Sequence, residues 1–581
     1  MKIDPYAYLR TRFEFAYATK VRLASVDAWL KHAVPEDDGV GLPALSAPFR
    51  SDPCAQYVAR ILHLGRLVLQ QWRIPVFVPA RLVKILPQLA KAGSFTCEVE
   101  QPSLDAVSPE VYGNAYLLAA DICAWCGNSD PARGKVQDFH ALLEQRVKKN
   151  MPPYRLGGDS TIPVLRVAHR LGIPFFHLGG GIYQLGTGAK ARYLDRSHGE
   201  SDSLIGGLLS GDKTASVRML RQHLLPVPLH FSVLSREAAI AAAATIGFPL
   251  VVKPADANRG EGVTVGVDSE AALAAAFDMA RKRSRTGDVL IEQQAPGVCH
   301  RLFIVKGRLL YAVKRLPLFV TGDGTRSLRQ IINAEVEKDQ GRPYWRRSKF
   351  ARFDASGFAD LAARGIDCDA VPGFGERIFL RPIETTEWGG IDEETTHAVH
   401  PLNLKAAVEA TRAFGLEVAG VDMISEDISV PWIENGAIIN EVNAAPLLGG
   451  AEISRSYLAT FFDIYLGGDG CIPVTAAGPD DSVEDLLEQQ AARHAQGLRS
   501  WIVFADVAVG PQGQKLSVDG GPAQAGFDPK GRPLQYVSPP EEVLLLDVLR
   551  NRTVDHVVRV RGMAPVSLRT PGALELSPPT G

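Results

Sequence analysis

The run IINEVNAAPLLGG, residues 438–450, constrains the fold more than any other stretch of these 581 residues. Its isoleucines and valine favour a strand, and Pro446 with the Gly449-Gly450 pair ends it. On a strand, residues two apart project to one face, so Glu441 and Asn443 point the same way. A buried strand rarely carries a carboxylate and a carboxamide side by side, so this one has an apolar side and a working polar side. Asp422 stands on a preceding strand-like run, AGVDMI (419–424). Two carboxylates and a carboxamide oxygen are hard donors that suit Mg²⁺, which keeps some waters and takes phosphate oxygens at its other positions. The plain alternative is the outward face of an edge strand.

A second segment narrows the chemistry. In VVKPADANRGEGVTVGV (251–267) a strand ends at Lys253-Pro254, a glycine-rich turn follows, and a second strand resumes. Glycines let a backbone approach an anion closely, so the turn at Asn258, Arg259, Gly260, Glu261, Gly262 and Val263 can cradle phosphate. Lys253 adds a point charge for phosphoryl oxygens. The alternative is an ordinary hairpin with a surface lysine. GGLLSGDKTAS (206–216) approximates a Walker A loop, but Asp212 is inserted before Lys213 and breaks the contiguous cradle.

Composition removes several classes. A formal net charge of −2 gives no nucleic-acid footprint, and YWRRSKFAR (344–352) reads as a solvated loop. No run of about 18 apolar residues exists, so no membrane span is expected. The start, MKIDPYAYLR, does not read as a signal peptide. Seven scattered cysteines fit reduced thiols in a cytoplasm. Cys123 and Cys126 form a lone C-x-x-C in a helix-like run and read as buried small apolar residues.

The length predicts two to four domains. Residues 1–155 mix strand-like pieces (PVFVPA, SFTCEVE) with apolar-periodic helices, predicting a small α+β module. From about 158, helices alternate with strands, as in SREAAIAAAATIG then FPLVVKPAD, which argues for an α/β domain reaching to about 470. Ser235 is the expected cap of that alanine-rich helix and Gly247 its end. HRLFIVKGRLLYAVKRLPLFV reads as a hairpin, and residues 335–375 as a long irregular loop. Residues 471–581 look like a β-rich appendage. His397 and His400, three apart at a helix start, read as capping or packing groups rather than zinc ligands.

Lys213 and Lys253 forty apart, the glycine-rich turn, the strand VLIE (289–292) and the D…E-V-N set together resemble the ATP-grasp superfamily. The resemblance implies two α+β subdomains clamping ATP, with Lys213 and Lys253 on its phosphates and residues 258–263 closing over them. It also implies a hinge at the adenine formed by Glu292, Gln293 and Gln294, a nucleotide contact from His300, and Mg²⁺ or Mn²⁺ held by Asp422, Glu441 and Asn443. IYQLGTGAKARYLDRS, TGDGT, the HPLN turn (400–403) and AGVDMISEDIS narrow the likeness to the ATP-dependent half of the cyanophycin synthetases, over roughly residues 1–465. No stretch here resembles that family's muramyl-peptide-ligase-like half. The implied activity is carboxylate activation by ATP followed by amide formation on an amino acid or short peptide, with Arg301 and Arg381 as candidate catalytic arginines. Relatives of this kind are often homo-oligomers. Two departures bear on the substrate: T-T-E-W-G-G (385–390) follows Arg381, and Cys299 stands where relatives place an acidic ribose contact. A non-catalytic binding or regulatory protein built on the same fold is the competing reading.

Overall fold

The computed structural model describes residues 4–16, 21–33, 41–86, 94–151, 156–256, 261–347, 350, 353–381, 390–478, 480–517, 524–527, 533–536 and 540–560. Two compact units result: Met1–Arg196, Pro343–Trp345 and Phe462–Gly581 form the first, and Ser197–Arg342 with Arg346–Phe461 the second.

In the first unit a five-stranded sheet runs in the order Arg81–Leu86, Ser94–Ser103, Ala7–Ala16, Pro533–Tyr536, Gln524–Phe527. Ala7–Ala16 pairs antiparallel with Ser94–Ser103 along its whole length, and its other edge takes Pro533–Tyr536. Strands from both ends of the sequence therefore share one sheet. PVFVPA is not a strand; pairing begins after it, at Arg81. Pro75 and Pro79 supply no N–H to a ladder, which accounts for the difference. The helix Pro53–Gln71 is capped by Asp52, whose side chain accepts from the N–H groups of Cys54 and Ala55. Cys123 and Cys126 lie inside the helix Pro109–Asn128, fully buried, and burial pushes the Cys126 thiol up to about 12. Beyond 470 another sheet is joined by two helices, Val483–Ala495 and Pro540–Arg550, so this segment is of mixed structure.

Two sheets of the second unit, of four and five strands, position the site. The smaller has the order Thr264–Val267, Leu250–Pro254, Val289–Gln293, His230–Val233, with antiparallel neighbours throughout. His230–Val233 and Leu250–Pro254 run parallel to each other, joined by the helix Arg236–Ile246, but Val289–Gln293 fills the gap between them. That split crossover explains why helix–strand alternation reads as α/β while the pairing is that of α+β. Ser235 does cap this helix through the Ala238 N–H, and Gly247 ends it at positive φ. The larger sheet has the order Gly390–Glu394, Arg308–Pro317, Val298–Val305, Val418–Ser425, Ile438–Ala444, again antiparallel. Its apolar face (Leu302, Ile304, Ala312, Val421, Ile439, Val442) shares a core with residues of the helix Pro401–Ala413. His400 caps that helix, its Nδ1 accepting from the Leu402 N–H at 3.1 Å.

Residues 335–375 are not a loop where they are described. The helices Leu328–Gln340 and Ala355–Ala363 and the paired strands Phe319–Thr321 and Arg377–Phe379 close over a small core of Leu318, Ile332, Phe353, Leu361 and Leu380. Half of that core comes from residues before 335, so the segment read alone looks too polar to pack. A capping box between Ser327 and Gln330 starts the first helix.

The Walker-like stretch folds as two helices, Leu204–Gly211 and Lys213–Gln222. Asp212 between them accepts from the Ala215 N–H at 2.9 Å. Gly206 is required for packing, since a Cβ there would lie 1.6 Å from the Phe414 carbonyl oxygen. Gly206→Ala should therefore lower the unfolding temperature of the second unit, at a cost of about 3 kcal/mol. Thermal unfolding followed by circular dichroism checks this, with Gly211→Ala, which meets open space, as the control expected to change little.

Candidate active site

Each sheet of the second unit gives one face to helices, and side-chain alternation puts the charged residues on the other. On the smaller sheet Leu250, Val252, Val289 and Ile291 pack inward. Lys253 and Glu292 consequently share the open face, where Lys253 Nζ meets Glu292 Oε2 at 2.6 Å, both side chains nearly buried. Asp256, two residues beyond the strand, accepts from the backbone N–H groups of Arg285 and Thr286.

On the larger sheet one row of cross-strand partners runs Arg301, Asp422, Glu441. Arg301 donates to both Asp422 oxygens, Nε at 2.6 Å and Nη2 at 2.5 Å, and Asn443 Nδ2 donates to Oδ2 at 3.3 Å. Burial opposes the charged form of Arg301, yet the Asp422 carboxylate more than offsets it, and the guanidinium stays above its ordinary range. Strict alternation would place Ile439 on the same face as Glu441. The ladder avoids this: Asp422 pairs with Glu441 but Met423 pairs with Ile439, leaving Asn440 as the extra residue of a bulge. Ile439 and Val442 thereby both reach the core while Glu441 and Asn443 stay opposite it.

Lys213, the first residue of its helix, connects the two faces electrostatically. Burial and then the like charge of Lys253 lower its pKa, while Glu441, Glu292 and Asp256 oppose the change. Three cations (Lys213, Lys253, Arg301) thus meet three carboxylates (Glu292, Asp422, Glu441). Among the described residues no group of three His, Cys, Asp or Glu side chains could hold a metal. A cation here would need the Asn443 carboxamide as third donor, and that all-oxygen set has the chemistry Mg²⁺ prefers.

Other expected residues fall elsewhere. His300 is buried on the opposite face from Arg301, its Nδ1 3.1 Å from the Val298 carbonyl. Gln294 Oε1 accepts from the Gly266 N–H, and Gln293 is exposed at a strand end. Arg381 sits in the 318–381 insert, its guanidinium 5.5 Å above the Phe353 ring and 3.8 Å from Asp360. Cys299 is buried on the Arg301 face. Glu261 is exposed and Gly262 has positive φ, with Val263 beside it. Asn258, Arg259 and Gly260 lie outside the described residues, as do 385–389 of the altered loop.

Residues 212–300 match the family model described as carbamoyl-phosphate synthase L chain, ATP binding domain. The second unit carries an ATP-grasp domain. Cyanophycin synthetase from Geminocystis herdmanii is 31% identical over 361 residues, covering 60% of this chain and 41% of that protein. The Synechocystis cyanophycin synthetase is 30% identical over 293 residues, 50% of this chain and 33% of the relative. A glutathione biosynthesis bifunctional protein from Mannheimia succiniciproducens is 27% identical over 238 residues, 40% and 31%. The chain therefore spans less than half the length of these curated relatives. A solved bifunctional glutathione synthetase from Pasteurella multocida overlaps it at 17% identity and a TM-score of 0.42, covering 76% of this chain and 77% of that one.

The Lys213 environment makes a prediction with a sign. Removing a like charge raises a lysine pKa, so Lys253→Met should shift Lys213 acetylation to higher pH. Glu441→Gln removes a stabilising charge and should shift it to lower pH. Competitive acetylation read by peptide mass spectrometry measures both, and an unmoved profile in the two variants would refute the assigned proximity.

Proposed function

We propose that the chain is an ADP-forming carboxylate–amine ligase that uses ATP to join an amino acid or short peptide to an amine. The observation that carries this reading is the convergence on Lys213 of charges from both open sheet faces, Lys253 on one and Glu441 on the other. The catalytic work falls to residues 156–470, with the ATP phosphates neutralised by Lys213 and Lys253. Arg301 holds the Asp422 carboxylate in one orientation through its two parallel hydrogen bonds. Asp422, Glu441 and Asn443 would hold Mg²⁺, with Mn²⁺ as a substitute. When bound, the metal screens phosphate oxygens from the incoming carboxylate. In the reaction the acid's carboxylate oxygen takes the terminal phosphoryl group and ADP leaves. The amine nitrogen then bonds the acyl carbon, loses a proton and displaces inorganic phosphate. All seven cysteines are free thiols, which supports a reducing cytoplasmic setting.

Inorganic phosphate should appear only when an acid and an amine are supplied together with Mg-ATP. Glu441→Gln should cut that release by roughly 100-fold or more while leaving the melting temperature unchanged. Asp422 variants are poorer controls, because they leave the buried Arg301 charge unpaired at a cost of about 3–5 kcal/mol. A phosphate-release screen over amino-acid pairs, with mass spectrometry of the product, provides the measurement. Full turnover in Glu441→Gln sinks the metal assignment, and no binding of Mg-ATP by calorimetry sinks the ligase reading in favour of a non-catalytic one.

A further inference from the structure

Glu292 has two cross-strand neighbours on the smaller sheet, Val251 and His230. Val233, Val252, Val289 and Ile291 belong to the helix-covered core. Alternation therefore puts His230 on the open face beside Glu292 and the Lys253 pair. The His230 side chain is half-buried, and its Nδ1 is enclosed with no partner at full hydrogen-bond geometry, the Pro228 backbone being a polar contact short of that. An enclosed polar nitrogen left unpaired costs on the order of 1–3 kcal/mol, so a ligand that completes it has something to gain. Burial, the largest influence, lowers the His230 pKa, with Glu292 and a backbone contact at Pro228 opposing and Arg221 and Lys253 adding to it. The ring is then neutral at pH 7, with one donor and one acceptor nitrogen.

Lys253 and Glu292 neutralise each other, which leaves the imidazole as the flat uncharged hydrogen-bonding group beside them on this face. A flat neutral group of that kind matches a heterocyclic base better than a phosphate. We propose that His230 is a specificity-determining residue for the nucleotide base, its Nδ1 accepting from the exocyclic amine of adenine. Guanine presents a keto oxygen at the equivalent position and would set lone pair against lone pair. The assignment rests on the ATP-dependent reading of this unit.

Calorimetry on the full chain with Mg-AMP-PNP and Mg-GMP-PNP tests it. Wild type should prefer the adenine nucleotide. His230→Ala should weaken adenine-nucleotide binding about tenfold, or 1.4 kcal/mol, and leave guanine-nucleotide binding unchanged, so that the preference collapses. His230→Asn, whose carbonyl oxygen can still accept, should recover part of it, and the KM for ATP should rise more than kcat falls. Wild-type affinity and preference in His230→Ala would overturn the inference while sparing the ligase reading. Equal weakening for both bases would also overturn it, marking a structural role, as would the absence of any base preference in wild type. If wild type binds neither nucleotide, the ligase reading fails and the inference with it.

Discussion

The contact between Arg301 and Asp422 governs the rest of the larger sheet. A guanidinium and a carboxylate buried on neighbouring strands are costly unless each is fully satisfied by the other. Here the two parallel hydrogen bonds do so, and they also fix register. Sliding either strand by one residue would bring Leu302 or Val421 to the open face and drive a charge into the core shared with the Pro401–Ala413 helix. The pair thus specifies which face works and which face packs. Glu441 follows from Asp422 by direct pairing, and Asn443 follows from Glu441.

Polarity is sorted in the same way on both sheets. Helices cover the aliphatic faces, and charge is collected on the remaining ones, where every cation has a carboxylate within its influence. Such compensation keeps Arg301 charged despite its burial, so that the site carries fixed positive charge without a large net field. Lys213 is the least comfortable of them. It stands at a helix start, beside a like charge, and its depressed pKa records that crowding. A position of that kind is one an incoming anion relieves.

Much of this was legible in the residues, and the failures have physical causes. The shared face of Glu441 and Asn443, with Asp422 on the neighbouring strand, was legible because strand alternation and hard-donor chemistry are local properties, and Lys253 stood out at a strand end; Glu292 came only through the family resemblance. The Ser235 and His400 caps were readable for the same reason. The Asn440 bulge was not, because a strand's register depends on its partner. The resemblance implies a nucleotide contact from His300, which lies one step along the strand from Arg301 and so on the other face of the sheet. The 318–381 insert is not legible in residues 335–375 alone, because its core draws on Leu318, Leu328 and Ile332, outside that segment. His230 carries no motif at all. Its significance comes from a strand sixty residues away that slots in beside it.

The shared sheet of the first unit has a consequence for biosynthesis. Ala7–Ala16 is synthesised long before Pro533–Tyr536, which completes one of its edges. The intervening ATP-grasp unit is continuous enough, from Ser197 to Phe461 apart from three residues, to fold while that edge still waits. Until the last strands arrive, the nascent protein presents an unpaired sheet edge, the feature that chaperones shield and aggregation exploits.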